Sequence, residues 1–257
     1  MANEDRRALA ALEVAAALGQ EVEAGLWRVA CQRLRLKPPV ELVQRMLEHS
    51  LVRPAEGGWA FAQTGLRQHL LDGAGRAGRL QAIHKLCATA LRQQHPHPDA
   101  AQAMRIAGHE LDADRPADAL APLLYAAAWH RQHGNLERAT EVLEIRHQAL
   151  KTLQTPSSDP AWGDNWLQEI LIHFERDQLD QAHDLIERFL YEAHLESWES
   201  RSEGYFQQGR LAVKRDQLPQ ARKAFKTAML MATSREQNAM MARIQDAIDA
   251  LPPDTND

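Results

Sequence analysis

At 257 residues the chain has room for one large domain or two small ones. Apolar residues make up 44% and charged residues 25%, the balance of an ordinary globular protein, and a formal net charge of −5 excludes a general polyanion binder, leaving at most a local basic patch. Cys31 and Cys87 stand in separate apolar stretches, so they read as small core residues in a reducing, cytoplasmic setting rather than as a disulfide.

No apolar run approaches the ~20 residues that a membrane-crossing helix needs. The N-terminus, Met-Ala-Asn-Glu-Asp-Arg-Arg, lacks the apolar core of a secretory leader, and its abrupt entry into a helix reads either as a natural small protein or, the favoured reading, as a piece of a longer chain. Leu9, Leu12, Val14 and Leu18 predict a helix over 5–18 that Gly19 stops, and Val22, Leu26, Trp27, Val29, Ala30 and Leu34 predict a second over 22–35. Pro38 and Pro39 break it, and a third helix is expected over 40–49. The period then changes. Leu51-Val52-Arg53-Pro54 and Trp59-Ala60-Phe61-Ala62 read as two short strands around Glu56-Gly57-Gly58, a β-hairpin. Three helices and a hairpin are a winged helix in outline, placed at 1–74.

A long helix is expected over 76–94, ended by His95-Pro96-His97-Pro98, with Asp99 capping the next over 100–112. Helices over 117–132 and 135–153 complete a first repeat group at 75–153. Gln154 to Pro160 reads as a linker. Helices over 161–176, 179–194, 198–215, 218–233 and 235–250 form a second group at 161–250, and 251–257 reads as a disordered tail. The expected fold is mainly α, with the winged helix followed by an α-α superhelix.

A heptapeptide recurs inside the second group. Residues 176–182 read Arg-Asp-Gln-Leu-Asp-Gln-Ala and residues 215–221 read Arg-Asp-Gln-Leu-Pro-Gln-Ala. Repeats at periods of about 20–50 residues mark stacked units that share one core. Around the second copy stand Tyr205, Gly209, Ala212, Ala221, Phe225 and Ala228. This spacing resembles a tetratricopeptide repeat, in which small residues lie where two antiparallel helices cross. In the first copy Trp166, Ile170, Ala182 and Ile186 take the places of Tyr205, Gly209, Ala221 and Phe225; Ile170 departs from the family's small residue, which implies looser packing. Weaker copies end at Ala119 and Ala139, sharing the helix between them. In that family the first helix of each hairpin lines a concave groove. The resemblance therefore implies a partner-binding face of Glu203, Phe206, Arg210 and Lys214 from one hairpin, and Leu167, Leu171 and Phe174 from the other. Arg210 and Lys214, four apart, share a helix face and can act together on a carboxylate.

The run Leu47, Leu51-Val52, Gly57-Gly58-Trp59-x-Phe61 and Leu66-Arg67, then a helix with His84, Ala88 and Leu91, resembles the C-terminal part of STAND-class signal-transduction ATPases, the maltose-regulator-type proteins among them. The resemblance implies a regulatory module that binds a protein or peptide partner, or an upstream nucleotide-binding domain of its own parent chain. Where that class places a nucleotide-sensing His-Asp pair, this chain has Gln63 and Thr64. It also has no G-x-x-x-x-G-K-[ST] loop, so it is expected neither to bind nor to hydrolyse ATP. Gly73-Ala74-Gly75-Arg76-Ala77-Gly78 fits G-x-G-x-x-G but follows a helical stretch, and reads as a joint. The twelve histidines include His130 and His133 on one face and His95 and His97 around a proline, without the converging set a zinc site needs, so no metal or cofactor is expected. No nucleophile-base-acid arrangement stands out, and the chain is not expected to be an enzyme. The alternative is a DNA-binding regulator. Arg28, Arg33, Arg35 and Lys37 favour it, but Glu41 and Glu48 on the third helix would face phosphates, so DNA is not the expected partner.

Overall fold

The computed structural model describes residues 3–39, 41–192, 198–234 and 236–252. It is mainly helical, with one three-stranded sheet among the described residues. The chain divides into two compact units, Met1–Ala126 and Ala127–Asp257.

The first unit holds α1 (Asn3–Leu18), β1 (Glu21–Glu23), α2 (Ala24–Arg33), α3 (Leu42–Glu48), β2 (Val52–Ala55), β3 (Gly58–Phe61), α4 (Thr64–Arg76), α5 (Leu80–Gln94) and α6 (Ala100–Asp112). The hairpin forms as its sequence dictates: Val52 faces Phe61 and Ala55 faces Gly58, with Gly57 at a φ of +69° in the turn. A third strand was not expected. The helix predicted from residue 22 begins at Ala24, because Glu21–Glu23 pair antiparallel with β3, Val22 opposite Trp59, in the order β1-β3-β2. Three residues are too few for a period of two to register in sequence, yet the pairing buries Val22 to 2% exposure. The third helix is shorter than predicted, and Val40 lies outside the described residues.

The first unit's core joins Ala11, Val14 and Ala15 of α1 to Trp27, Trp59 and Phe61, the last three meeting edge to face at centroid distances of 5.7 and 5.1 Å. It runs without a break through Ala74 of α4 into Ile83, Cys87 and Leu91 of α5 and Ile106 of α6, so α5 and α6 share one core with residues 1–74. The helix predicted over 76–94 starts at Leu80 instead: α4 contains Gly73 and Gly75, and Gly78, at a φ of +69°, ends that turn. Asp99 caps α6 in a reciprocal capping box with Gln102. Buried charge is paired: Glu13 with Arg79, and Glu110 with Arg92 and Arg115.

α7 (Pro116–Gln132) crosses the division. Beyond it the second unit holds α8 (Leu136–Thr152), α9 (Pro160–Glu175), α10 (Leu179–Glu192), α11 (Trp198–Lys214), α12 (Leu218–Thr233) and α13 (Asn238–Asp249). The heptapeptide encodes a helix stop followed by a helix start. Asp177 and Asp216 take the left-handed conformation at φ +57° and +56°. The next N–H groups reach back: Gln178 donates to His173 O at 2.9 Å and Gln217 to Ala212 O at 2.8 Å. This is the Schellman arrangement, which satisfies the last carbonyls of the first helix. Asp tolerates the left-handed region better than most residues. Asp114 and Gly134 make the same turn in the weaker copies, with φ of +57° and +75°. Each is followed by a helix whose alanine, Ala119, Ala139, Ala182 or Ala221, is fully buried. Pro219 sits in the first turn of α12, where its missing N–H has no partner to lose.

Within this unit each of the pairs α9–α10 and α11–α12 is joined by one such turn, and α11 also touches α9 and α13. α11 and α12 run closest together, since Gly209 presents only hydrogen where the Phe225 ring passes. The expected helix end at 193–194 and the tail at 253–257 lie outside the described residues.

Candidate functional site

Helices α9, α11 and α13 carry a continuous polar ladder. Arg243 of α13 forks onto Glu203 of α11 at 2.9 and 3.2 Å while stacking over Phe206 at 4.9 Å. Gln207 donates to Glu203 at 2.5 Å, and Arg210 donates to Gln207 at 3.0 Å. The Arg210 guanidinium then lies over the Phe174 ring of α9 at 5.2 Å. One step further, Arg131 at the end of α7 donates to Glu175 at 2.6 Å and to Gln168 at 3.1 Å. Burial lowers the Arg210 pKa from the usual guanidinium value, Glu203 and Glu175 oppose that fall, and Arg243 and Arg131 add to it. Arg210 is thus the centre of a field of four cations, Arg131, Arg210, Arg243 and exposed Lys214, against two carboxylates.

The residues expected on a binding groove therefore do assemble on neighbouring helix faces, but not as a set of free side chains. Phe174 and Phe206 are buried at 4% and 6% exposure, each roofed by an arginine. Leu167 and Leu171 are half-buried, and Glu203 is engaged by Arg243. Beside them Arg210 is half-buried and Lys214 is exposed. Sequence spacing singled out Arg210 and Lys214 but not Arg131 and Arg243, which join the network through contacts 37 to 44 residues away along the chain. Trp166 is 3% exposed, and Ala182, Ala221 and Ala228 are fully buried. Gly204 makes a second close approach that the spacing did not reveal: a Cβ there would lie 2.6 Å from Leu190 and 2.9 Å from Phe189.

A second network ties α8 to α9. Buried Arg146 donates to Ala161 O at 2.6 Å and to Asn165 at 3.3 Å, and Asn165 donates to Glu169 at 2.7 Å. Burial pushes the Glu169 carboxyl up to about 7, with Glu144 adding to the rise and the Asn165 hydrogen bond and Arg188 opposing it. An acid whose folded pKa lies above its unfolded value of 4.5 binds more protons when folded, so stability falls as pH rises through the window from 4.5 to about 7. Glu169→Gln keeps the acceptor and removes the titration. Its unfolding free energy should gain on wild type steadily across that window, by on the order of 2 kcal/mol at the alkaline end. A difference between the two that stays constant from pH 4.5 to 8 would contradict the assignment.

His133 stacks on Trp129 at 3.9 Å and contacts the Trp129 carbonyl, while His84 and His109 approach each other at 3.0 Å. Among the described residues no three potential ligands converge on a metal-sized site. Both cysteines are free, and burial pushes each thiol up to about 12. No helix among the described residues is long and apolar enough to cross a membrane.

No protein-family model and no curated protein matches the chain. Among solved structures, the crystal structure of BtubC (BKLC) from P. vanneervenii is similar over 91% of this chain and 96% of that one, with 13% sequence identity and a TM-score of 0.41. A likeness at that level carries no argument about this chain.

Proposed function

We propose that the chain is a non-catalytic regulatory or scaffold module. On this reading the first unit is built around a winged helix, and the second stacks tetratricopeptide-type hairpins whose first helices, α9 and α11, line a groove for a protein segment. The observation that carries the reading is the cationic ladder centred on Arg210, with exposed Lys214 one turn away. Pre-aligned guanidinium groups held over aromatic rings lose little side-chain entropy on pairing with a carboxylate. The recurring turns at Asp177 and Asp216, and the contact of α11 with both α9 and α13, support the hairpin register. The partner is a peptide segment with an acidic end, supplied by another protein or by an upstream nucleotide-binding domain of a parent signalling ATPase or kinase. Two free buried thiols accord with a reducing, cytoplasmic setting.

The test uses a displayed random-peptide library. The wild-type chain should enrich peptides with an acidic end. Arg210→Gln with Lys214→Glu should weaken the enriched peptides by about tenfold or more while leaving the helical circular dichroism unchanged. Glutamine is chosen at Arg210 because a carboxylate there would meet Glu203 and Glu175. Enrichment of basic or uncharged peptides, or full binding by the double variant, would refute the groove. A DNA-binding role has less support, because the exposed face of α3 and its C-cap offers Gln44, Arg45, Glu48 and His49, a single permanent cation among them.

A further inference from the structure

The first unit contains a recess that the groove reading does not use. α2 lays Trp27, Arg28 and Cys31 along one face, the segment after it supplies Leu36 and Lys37, α3 supplies Val43, and Trp59 of β3 closes the inner wall. Its volume is about 680 Å³, within the range of about 300–1,000 Å³ typical of small-molecule sites. The walls are apolar. Trp27 is locked in place by its Nε1–H, which donates to Ala11 O at 2.8 Å, and it meets Trp59 edge to face. The Cys31 thiol, buried beside Trp27, stays neutral. The rim is cationic. Arg28 and Lys37 are exposed, and neither makes an ion pair or hydrogen bond among the described residues. This differs from Arg131 and Arg243 of the second unit's ladder, whose charges are already met by Glu175 and Glu203.

An apolar pocket with two unmet cations at its mouth is complementary to a molecule with an apolar body and one anionic end. We propose that this recess binds a small amphipathic carboxylate, with the hydrocarbon or aromatic body against Trp27, Val43 and Trp59 and the carboxylate between Arg28 and Lys37. The two-residue break at Pro38-Pro39 holds Lys37 at the rim, since proline fixes the backbone there. The basic run that sequence alone linked to DNA is, on this reading, the anion-recognition edge of a small-molecule pocket.

Calorimetry with decanoate and decyltrimethylammonium, each below its micelle concentration, and with 1-decanol below its solubility limit tests this on the whole chain. Decanoate should bind in equimolar ratio, about tenfold or more tighter than decanol, and the ammonium should bind more weakly still. Arg28→Gln with Lys37→Gln should bring decanoate down to the level of decanol and leave decanol unchanged. The indole N–H resonance of Trp59, assigned from a Trp59→Phe variant, should move on titration with decanoate; its Nε1 is buried without an acceptor, so it reports on changes at the inner wall. Decanoate binding no tighter than decanol, binding indifferent to the double variant, binding that leaves the Trp59 resonance in place, or no binding at about millimolar ligand would each overturn the proposal.

Discussion

Gly209→Val should cost at least the upper end of the roughly 1–3 kcal/mol typical of core overpacking, lowering the melting temperature by roughly 10 °C. A Cβ at this position would lie 2.4 Å from Cε1 and 2.5 Å from Cδ1 of Phe225, whose ring is 1% exposed and has nowhere to go. The sign is the informative part. In an open helix, replacing glycine by alanine gains about 1 kcal/mol. Gly108 of α6 is such a position, with nothing within 4 Å of its would-be Cβ. Gly108→Ala should therefore raise the melting temperature, and Gly209→Ala should lower it. The same crossing governs Ala221, which is fully buried. Ala221→Leu should cost about 1–3 kcal/mol. At the neighbouring, exposed Gln220 the change to leucine should cost under about 0.5 kcal/mol. Equal losses for those two variants would mean that the hairpin register is wrong.

Gly58→Ala should be as damaging through a different contact. The added Cβ would stand 2.0 Å from the Val22 carbonyl oxygen and 2.9 Å from the Ala24 nitrogen. Both are backbone atoms, so no rotamer change relieves the clash, and β1 must leave the sheet. Val22 loses its burial and the Trp27–Trp59 contact loosens. The expected loss is about 3 kcal/mol or more, with a red shift of tryptophan emission and new protease sensitivity near Gly19–Ala24. Gly57, one residue earlier, has open space around it but a φ of +69°. Gly57→Ala should cost only the ~1–2 kcal/mol of a left-handed residue. If Gly58→Ala melted no lower than Gly57→Ala, the pairing of Val22 with Trp59 would be wrong.

The contrast between these two glycines bears on what the sequence revealed. Gly57 belongs to a turn, and Glu56-Gly57-Gly58 between two alternating stretches marks it locally. Gly58 is required by a strand that lies more than thirty residues earlier, and nothing near it in sequence carries that information. The repeat turns were legible because Asp177 and Asp216 act locally, one residue stopping a helix and the next starting another. The buried alanines four residues into the following helices share that periodicity. The site was only half legible. Arg210 and Lys214 follow from spacing, but the cover of Arg210 over Phe174 and of Arg243 over Phe206 depends on contacts between helices 30 or more residues apart. That is why Phe174 and Phe206 were expected on the face without the arginines that cover them. The Arg146–Asn165–Glu169 network, also formed across two helices, has no sequence signature beyond polar residues on apolar helix faces.

The central claim is that Arg210 and Lys214 pair with the acidic end of a bound segment, and a charge exchange tests it most directly. A peptide enriched on the wild-type chain is remade with its acidic end changed to lysine, and both peptides are titrated against wild type and against Arg210→Gln with Lys214→Glu. The account predicts that the acidic peptide binds wild type best, that the lysine peptide loses about tenfold or more on wild type, and that it recovers most of that loss on the variant. Additive losses, with the lysine peptide binding the variant no better than wild type, would contradict it.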